Sequence, residues 1–287
     1  MTTTSTANPE IGWRTGVDGI GTNYHDAGTG VDGRPPVLLL HGWMFPSDLN
    51  WHPVYDALRD AGLRVLAMDH RGHGRGLRTQ KPFSLRDCAD DAAAMVAHLG
   101  VGPVTAVGYS MGGPVAALMA RHHPEAVRGI VLCATSRDWK GKRMSVIWKT
   151  MGSLRFWLGL APTQAWELLL TSTRMPVGPH RAWVAAELSR GSSIDIAEAG
   201  RELSRYDARP WLGELRGLPA AVVVTARDRS VPPRKQRLLA EGLGASVHEI
   251  KADHMAVVSH QAQFRRVLLE ALDSVGAVEA EREPVAA

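Results

Sequence analysis

Cysteine is nearly missing: Cys88 and Cys133 are the only two in 287 residues. That is too few for a disulfide framework or a cysteine-built metal site, and both read as reduced, buried thiols. Long apolar runs are missing as well. No stretch approaches the ~20 apolar residues that a membrane span needs. The first ten residues are polar and Thr-rich, with neither the basic start nor the apolar centre of a signal peptide, so the chain is expected to be cytoplasmic. A strong charge of one sign is lacking too. The formal net charge is only +4, and no nucleic-acid reading motif accompanies it, which argues against a nucleic-acid partner. The 12 histidines show no zinc-type ligand spacing, since His122 and His123 are adjacent and diverge on a helix.

What is present is an ordinary globular composition, 45% apolar and 22% charged, in a chain long enough to bury a sizeable core. Strand-like runs at 37–40, 65–68, 104–107, 129–132, 221–225 and 247–250 alternate with helix-like segments at 49–60, 85–99, 112–122, 234–241 and 261–272. Runs such as Val37-Leu38-Leu39-Leu40 are apolar without alternation, as strands buried on both faces are. The alternation predicts a parallel sheet with crossover helices. It stops after Cys133. From 135 to 209 the chain is helical in pattern without a convincing strand, which predicts an insertion over the carboxyl edge of the sheet, where open α/β sheets bind ligands. The expected organisation is a core at 20–134 and 210–274, a helical lid at 135–209, and flexible tails at 1–10 and 275–287.

The strongest motif is Gly108-Tyr109-Ser110-Met111-Gly112-Gly113, between the strand at 104–107 and an Ala-rich helix. Glycines at 108 and 112 clear space for a sharp strand-to-helix turn that projects Ser110 Oγ at a helix N-terminus. A serine hydroxyl needs a base to become a nucleophile at neutral pH. His254 sits in the loop after the final strand, where it can reach Ser110. His248 falls inside that strand and His260 begins the last helix, so both are weaker choices. The base in turn needs a carboxylate to fix its tautomer. Asp228 follows the strand at 221–225 and is level with the other two, with Asp138, after the preceding strand, as the rival. Asp253 is read as shaping the histidine loop.

Together with His41-Gly42 and Asp69-His70-Arg71-Gly72-His73-Gly74, these motifs resemble the α/β-hydrolase superfamily, specifically its lid-bearing serine hydrolase branch. The resemblance spans about Tyr24 to Leu272. It implies an α/β-hydrolase fold, a mostly parallel sheet flanked by helices, with the helical lid inserted after the sixth core strand. It also implies that the backbone N–H groups of Trp43 and Met111 form an oxyanion hole, each donor contributing ~3 kcal/mol to transition-state stabilisation. His41 is expected to structure its loop. A serine commonly stands two residues beyond the Gly74 position in this family, whereas here there is Gly76.

The expected chemistry is acyl transfer on a small, largely apolar ester without a metal or organic cofactor. A thioesterase, a C–C bond hydrolase and a perhydrolase are alternatives on the same triad. A ligand receptor with residual hydrolysis is the alternative of another class. Five of the nine tryptophans lie between Trp139 and Trp183. These rings either glue the lid helices to each other or, at Trp148 and Trp157, line an apolar acyl pocket facing Ser110, with Gly152, Gly159 and Pro162 breaking the segment into short helices. Arg137, Lys140, Lys142, Arg143, Lys149 and Arg155 stand against the single Asp138 in this region. Such a run is most often a solvated helix face, but interleaved with Trp and Met it is also compatible with transient contact between the lid and a membrane or lipid surface, or with attraction of a carboxylate- or phosphate-bearing substrate.

Overall fold

The computed structural model describes residues 13–15, 23–26, 30, 34–140, 149–172 and 177–278. In chain order the strands are β1 (Trp13–Thr15), β2 (Asn23–Asp26), β3 (Val37–Leu40), β4 (Val65–Met68), β5 (Val104–Tyr109), β6 (Val127–Cys133), β7 (Ala220–Thr225) and β8 (Ser246–Ile250). They form one sheet in the order β1-β2-β4-β3-β5-β6-β7-β8. The six strands from β3 to β8 are parallel to their neighbours, while β1 and β2 close one edge antiparallel. Every residue of β3, β4 and β5 is buried. Alternate residues feed two cores: Leu38, Leu40, Leu66 and Met68 on one face, Val37, Leu39, Val65 and Ala67 on the other. The two-residue period of a strand divides one apolar run between both sides. The last strand differs. β8 is an edge, and Val247 is 50% exposed.

Helices α1 (Ser47–Trp51) and α2 (Tyr55–Asp60) stand where the pattern suggested one helix at 49–60. Pro53 separates them, because it has no N–H to continue the hydrogen-bond ladder. Helices α3 (Leu85–Leu99) and α4 (Gly112–His122) match their sequence signals, and the Ser84 side chain accepts the Asp87 amide at 3.3 Å.

Between β6 and β7 come four described helices: α5 (Met151–Leu160), α6 (Pro162–Ser172), α7 (Pro179–Ser189) and α8 (Ser193–Arg205). The break at Pro162 is where the sequence placed one. Gly152 and Gly159, however, lie inside α5, since its packing on α8 outweighs their low helix propensity. Trp166 glues this region internally, with Leu170, Val184, Leu188 and Ile196 around it and Leu49 of the core beneath.

The chain ends through α9 (Pro233–Leu243), α10 (Ala256–Ser259) and α11 (Gln261–Ser274). The packed core extends past the expected limit at 274, because Val275 and Ala277 are buried. Gly276, at φ 73°, lets the chain turn back so that the Ala277 amide bonds Leu272 O at 2.9 Å. This left-handed glycine cap carries two apolar residues into the core. Residues 1–10 and 279–287 of the expected tails lie outside the described residues.

Candidate active site

The order β4-β3-β5 puts the carboxyl ends of β3 and β5 side by side at the point where the chain changes direction across the sheet. Ser110 leaves β5 there at φ 52°, a left-handed conformation that costs a serine of order 1–3 kcal/mol. The turn is held from three sides. Ser110 N–H donates to Cys133 O at 2.9 Å, Thr135 Oγ1 donates to Ser110 O at 2.7 Å, and the Gly113 amide donates to the same oxygen at 3.0 Å. No side chain fits at the flanking glycines. A Cβ on Gly108 would lie 2.2 Å from Gly112 O, and one on Gly112 would lie 2.0 Å from Leu40 O.

His254 and Asp228 complete a continuous hydrogen-bonded line. His254 Nε2 is 3.0 Å from Ser110 Oγ, and His254 Nδ1 is 2.7 Å from Asp228 Oδ2. This arrangement fixes a tautomer: Nδ1–H donates to the carboxylate and Nε2 accepts the serine hydroxyl. The Asp228 side chain is fully buried, whereas the His254 side chain is 23% exposed. Burial of a carboxylate needs several donors. Here Ser230 and Val231 amides donate to Oδ1 at 2.7 and 2.8 Å, and Thr225 Oγ1 donates to Oδ2 at 2.9 Å. Gln236 stays close behind, accepting the Thr225 amide and donating to Val231 O. On the other side Tyr109 OH donates to His254 O at 2.7 Å, tying the histidine loop to the strand that carries Ser110.

The loop after β3 lies against the nucleophile, since a Cβ on Gly42 would be 3.3 Å from Ser110 Cβ. Asn50 Oδ1 accepts the Gly42 amide at 3.0 Å, and Met44 is another non-glycine residue at positive φ, 70°. The Trp43 indole donates to Ile196 O in α8 at 2.7 Å. On the opposite side, the Met111 amide at the start of α4 takes no acceptor among the described residues.

Beneath this loop His41, His70 and His73 form a buried cluster, with ring centroids 4.2 Å and 5.3 Å from His41. His41 Nε2 accepts the His70 amide, which leaves the proton on Nδ1, facing Gly42 O at 2.8 Å. Desolvation holds all three imidazoles neutral. It takes His41 well below its ordinary range, His70 to about 3 and His73 to about 4. Burial pushes the neighbouring Asp69 carboxyl up to about 6, against the opposing effect of the Arg75 and Ser47 amides that donate to it.

Alternatives from the sequence lie elsewhere. Asp138 pairs with Lys235 at 2.7 Å, His260 contacts the Ser259 hydroxyl, and His248 is hydrogen-bonded to Ser274. Asp253 caps the Met255 amide. Trp148 lies outside the described residues. Trp157 is 61% exposed, and its ring neighbour is Phe156, so the structure does not bring it into contact with Ser110. The outward side of α5 leaves that ring unburied. Sequence reasoning missed Thr225, Gln236, Asn50 and Tyr109. Tyr109 alone carried a signal, as a hydroxyl-bearing ring inside the elbow motif.

The fold agrees with the comparisons to known proteins. The family model for the alpha/beta hydrolase fold matches residues 35–162. A pimeloyl-[acyl-carrier protein] methyl ester esterase of Neisseria meningitidis is 30% identical over 257 residues, covering 85% of this chain and 78% of its own length. A non-heme haloperoxidase of Rhodococcus erythropolis is 41% identical over 119 residues, or 41% of this chain. The match spans only 42% of that relative. A solved hydrolase from Pseudomonas aeruginosa superposes with a TM-score of 0.75 at 22% identity, covering 92% of this chain and 99% of its own, which supports the fold. The chain belongs to the alpha/beta hydrolase superfamily.

Proposed function

We propose that the protein is a serine hydrolase that cleaves the ester-type bond of a small, largely apolar substrate through an acyl-enzyme on Ser110. The observation that carries this reading is the unbroken line from Asp228 through His254 to Ser110, at 2.7 and 3.0 Å, ending on a nucleophile held at φ 52°. His254 Nε2 takes the hydroxyl proton as Ser110 Oγ adds to the carbonyl carbon, and Asp228 stabilises the imidazolium. The Trp43 and Met111 amides receive the oxyanion. His254 then protonates the leaving alcohol. A water, deprotonated by the same nitrogen, attacks the acyl-enzyme and restores Ser110. The helices from α5 to α8 act as a lid that shapes the acyl side of the pocket.

The test is turnover of short p-nitrophenyl esters together with fluorophosphonate labelling. Ser110→Ala and His254→Ala should each lower kcat by ~10⁴ or more, and Asp228→Asn by somewhat less. Labelling should vanish in Ser110→Ala. Retained labelling or turnover in that variant overturns the assignment.

A second reading rests on the names of relatives, which include a haloperoxidase and a bifunctional esterase/perhydrolase of Acinetobacter calcoaceticus. Hydrogen peroxide in place of water would attack the same acyl-enzyme, releasing a peracid and free Ser110. Peracid formation that outruns ester hydrolysis at equal acyl-enzyme supply would favour it.

A further inference from the structure

Unpartnered apolar surface is concentrated in one part of the molecule. Among the described residues, the large exposed apolar side chains are Phe156, Trp157, Leu160, Leu168, Val177, Ile194 and Val247, and all but Val247 lie between 156 and 194. Four of them adjoin. Phe156 and Trp157 meet edge to face at 5.6 Å, and Phe156, Leu160 and Ile194 line one open groove between α5 and α8. Arg155 lines the same groove, and Lys149 stands two residues before α5 begins; both are exposed and without a carboxylate partner among the described residues. Nearby acids are already engaged, Glu167 by Arg181 and Glu198 by the Phe83 amide.

We infer that this face of α5 and the start of α8 is a docking surface for an anionic lipid bilayer. Aromatic and aliphatic side chains flanked by unpaired cations suit the boundary between acyl chains and acidic headgroups, where the apolar rings sit below the charges. The charge pattern argues against a second copy of this chain, because a two-fold contact across the patch would bring Lys149 and Arg155 towards their own equivalents. The assignment gives Trp157 a lipid contact in place of the substrate contact expected of it. It stands independently of the chemistry at Ser110.

The experiment is co-sedimentation of the full chain with vesicles of phosphatidylcholine alone or mixed with phosphatidylglycerol, with tryptophan emission as a second readout. Each cation is worth roughly fivefold in partitioning, so binding to the acidic vesicles should be about 30-fold stronger. Phe156→Ser with Leu160→Ser should abolish it without changing the melting temperature. Lys149→Gln with Arg155→Gln should remove only the preference for acidic lipid. Ser110→Ala should bind as the parent does. Failure to partition onto acidic vesicles overturns the inference. So does a dimer in light scattering that Phe156→Ser dissolves, or capture by poly-glutamate without vesicle binding.

Discussion

The indole of Trp43 donates to the carbonyl oxygen of Ile196 at 2.7 Å, joining the loop beside the nucleophile to a helix 153 residues further along the chain. That helix, α8, is itself anchored. The Ser192 amide bonds Gly72 O at 2.7 Å, Glu198 accepts the Phe83 amide, and Glu187 of α7 receives Arg75. The loop it steadies contains Met44 at φ 70°, a conformation that persists only where its surroundings enforce it. The helices between β6 and β7 are therefore tied to the loop after β3. Their second half supports the backbone expected to hold the oxyanion.

Removing that one donor should separate positioning from folding. Trp43→Phe keeps an aromatic ring but loses the N–H. We expect kcat to fall about tenfold, a fraction of the ~10²–10³ lost when an oxyanion donor is deleted, with KM within about twofold. One hydrogen bond is worth ~1 kcal/mol, so the melting temperature should move by no more than about 4 °C. Unchanged kcat in a variant that still depends on Ser110 would mean the indole is only structural.

Gly76 stands where serine is common in the family, and the structure supplies a reason. A Cβ at this position would lie 2.2 Å from His70 O and 2.6 Å from Asp69 O, both backbone atoms that cannot swing aside. Gly76→Ser should therefore destabilise by about 2 kcal/mol or more, measured by urea unfolding at neutral pH. A neutral substitution would show that the loop relaxes freely.

Glu187 is 3% exposed, and its carboxylate receives Arg75 at 2.8 and 2.9 Å and Arg190 at 3.0 Å. Glu187→Leu leaves Arg75 with Asp48, at 3.7 Å, as its acidic neighbour. Loss of a partner from a buried pair costs up to ~3–5 kcal/mol, and the remaining Asp48 contact should hold this to about 2–3 kcal/mol. Limited proteolysis should then cut the insertion before the core. Equal cleavage of both would show that α7 is not anchored through this pair.

The parts of this architecture written in local patterns were legible in the sequence. Buried parallel strands such as β3 and β5 announce themselves as unbroken Val and Leu runs, and the glycines at 108 and 112 mark a turn that tolerates no Cβ. The placement of His254 and Asp228 followed from strand ends alone. What escaped depended on distant contacts. β1 and β2 are short, and Asn23-Tyr24-His25-Asp26 has no apolar run to betray a strand that exists by pairing with β4. Gln236 stands behind Asp228 only because α9 folds back over β7, and the bond from Thr225 to Asp228, though only three residues long, has no pattern of its own in the sequence. Trp157 was misjudged because a run of tryptophans does not say which ring finds a partner: Trp166 is 3% exposed and Trp157 61%.

The histidine cluster predicts acid lability, and the sign follows from which state binds protons. His41, His70 and His73 are neutral when folded, their affinities for protons lowered chiefly by burial, to about 3 for His70 and about 4 for His73. Unfolded, each titrates near ~6.5. A folded value below the unfolded one means stability that is present above ~6.5 and lost as the pH falls. Asp69 acts in the opposite sense. Burial raises it to about 6, so its folded form takes up a proton between about 6 and the unfolded value of 3.8. Three rings outweigh one carboxyl. Integrating the proton difference from pH 7 to pH 5 for His70, His73 and Asp69 gives a net loss of about 2 kcal/mol in unfolding free energy, to which His41 adds in the same direction. Urea unfolding at the two pH values measures it directly. His70→Phe removes one of the three rings, whose nitrogens find no hydrogen-bond partner among the described residues, and should reduce the loss by about 2 kcal/mol. An acid dependence that this variant leaves untouched would place its origin outside the cluster.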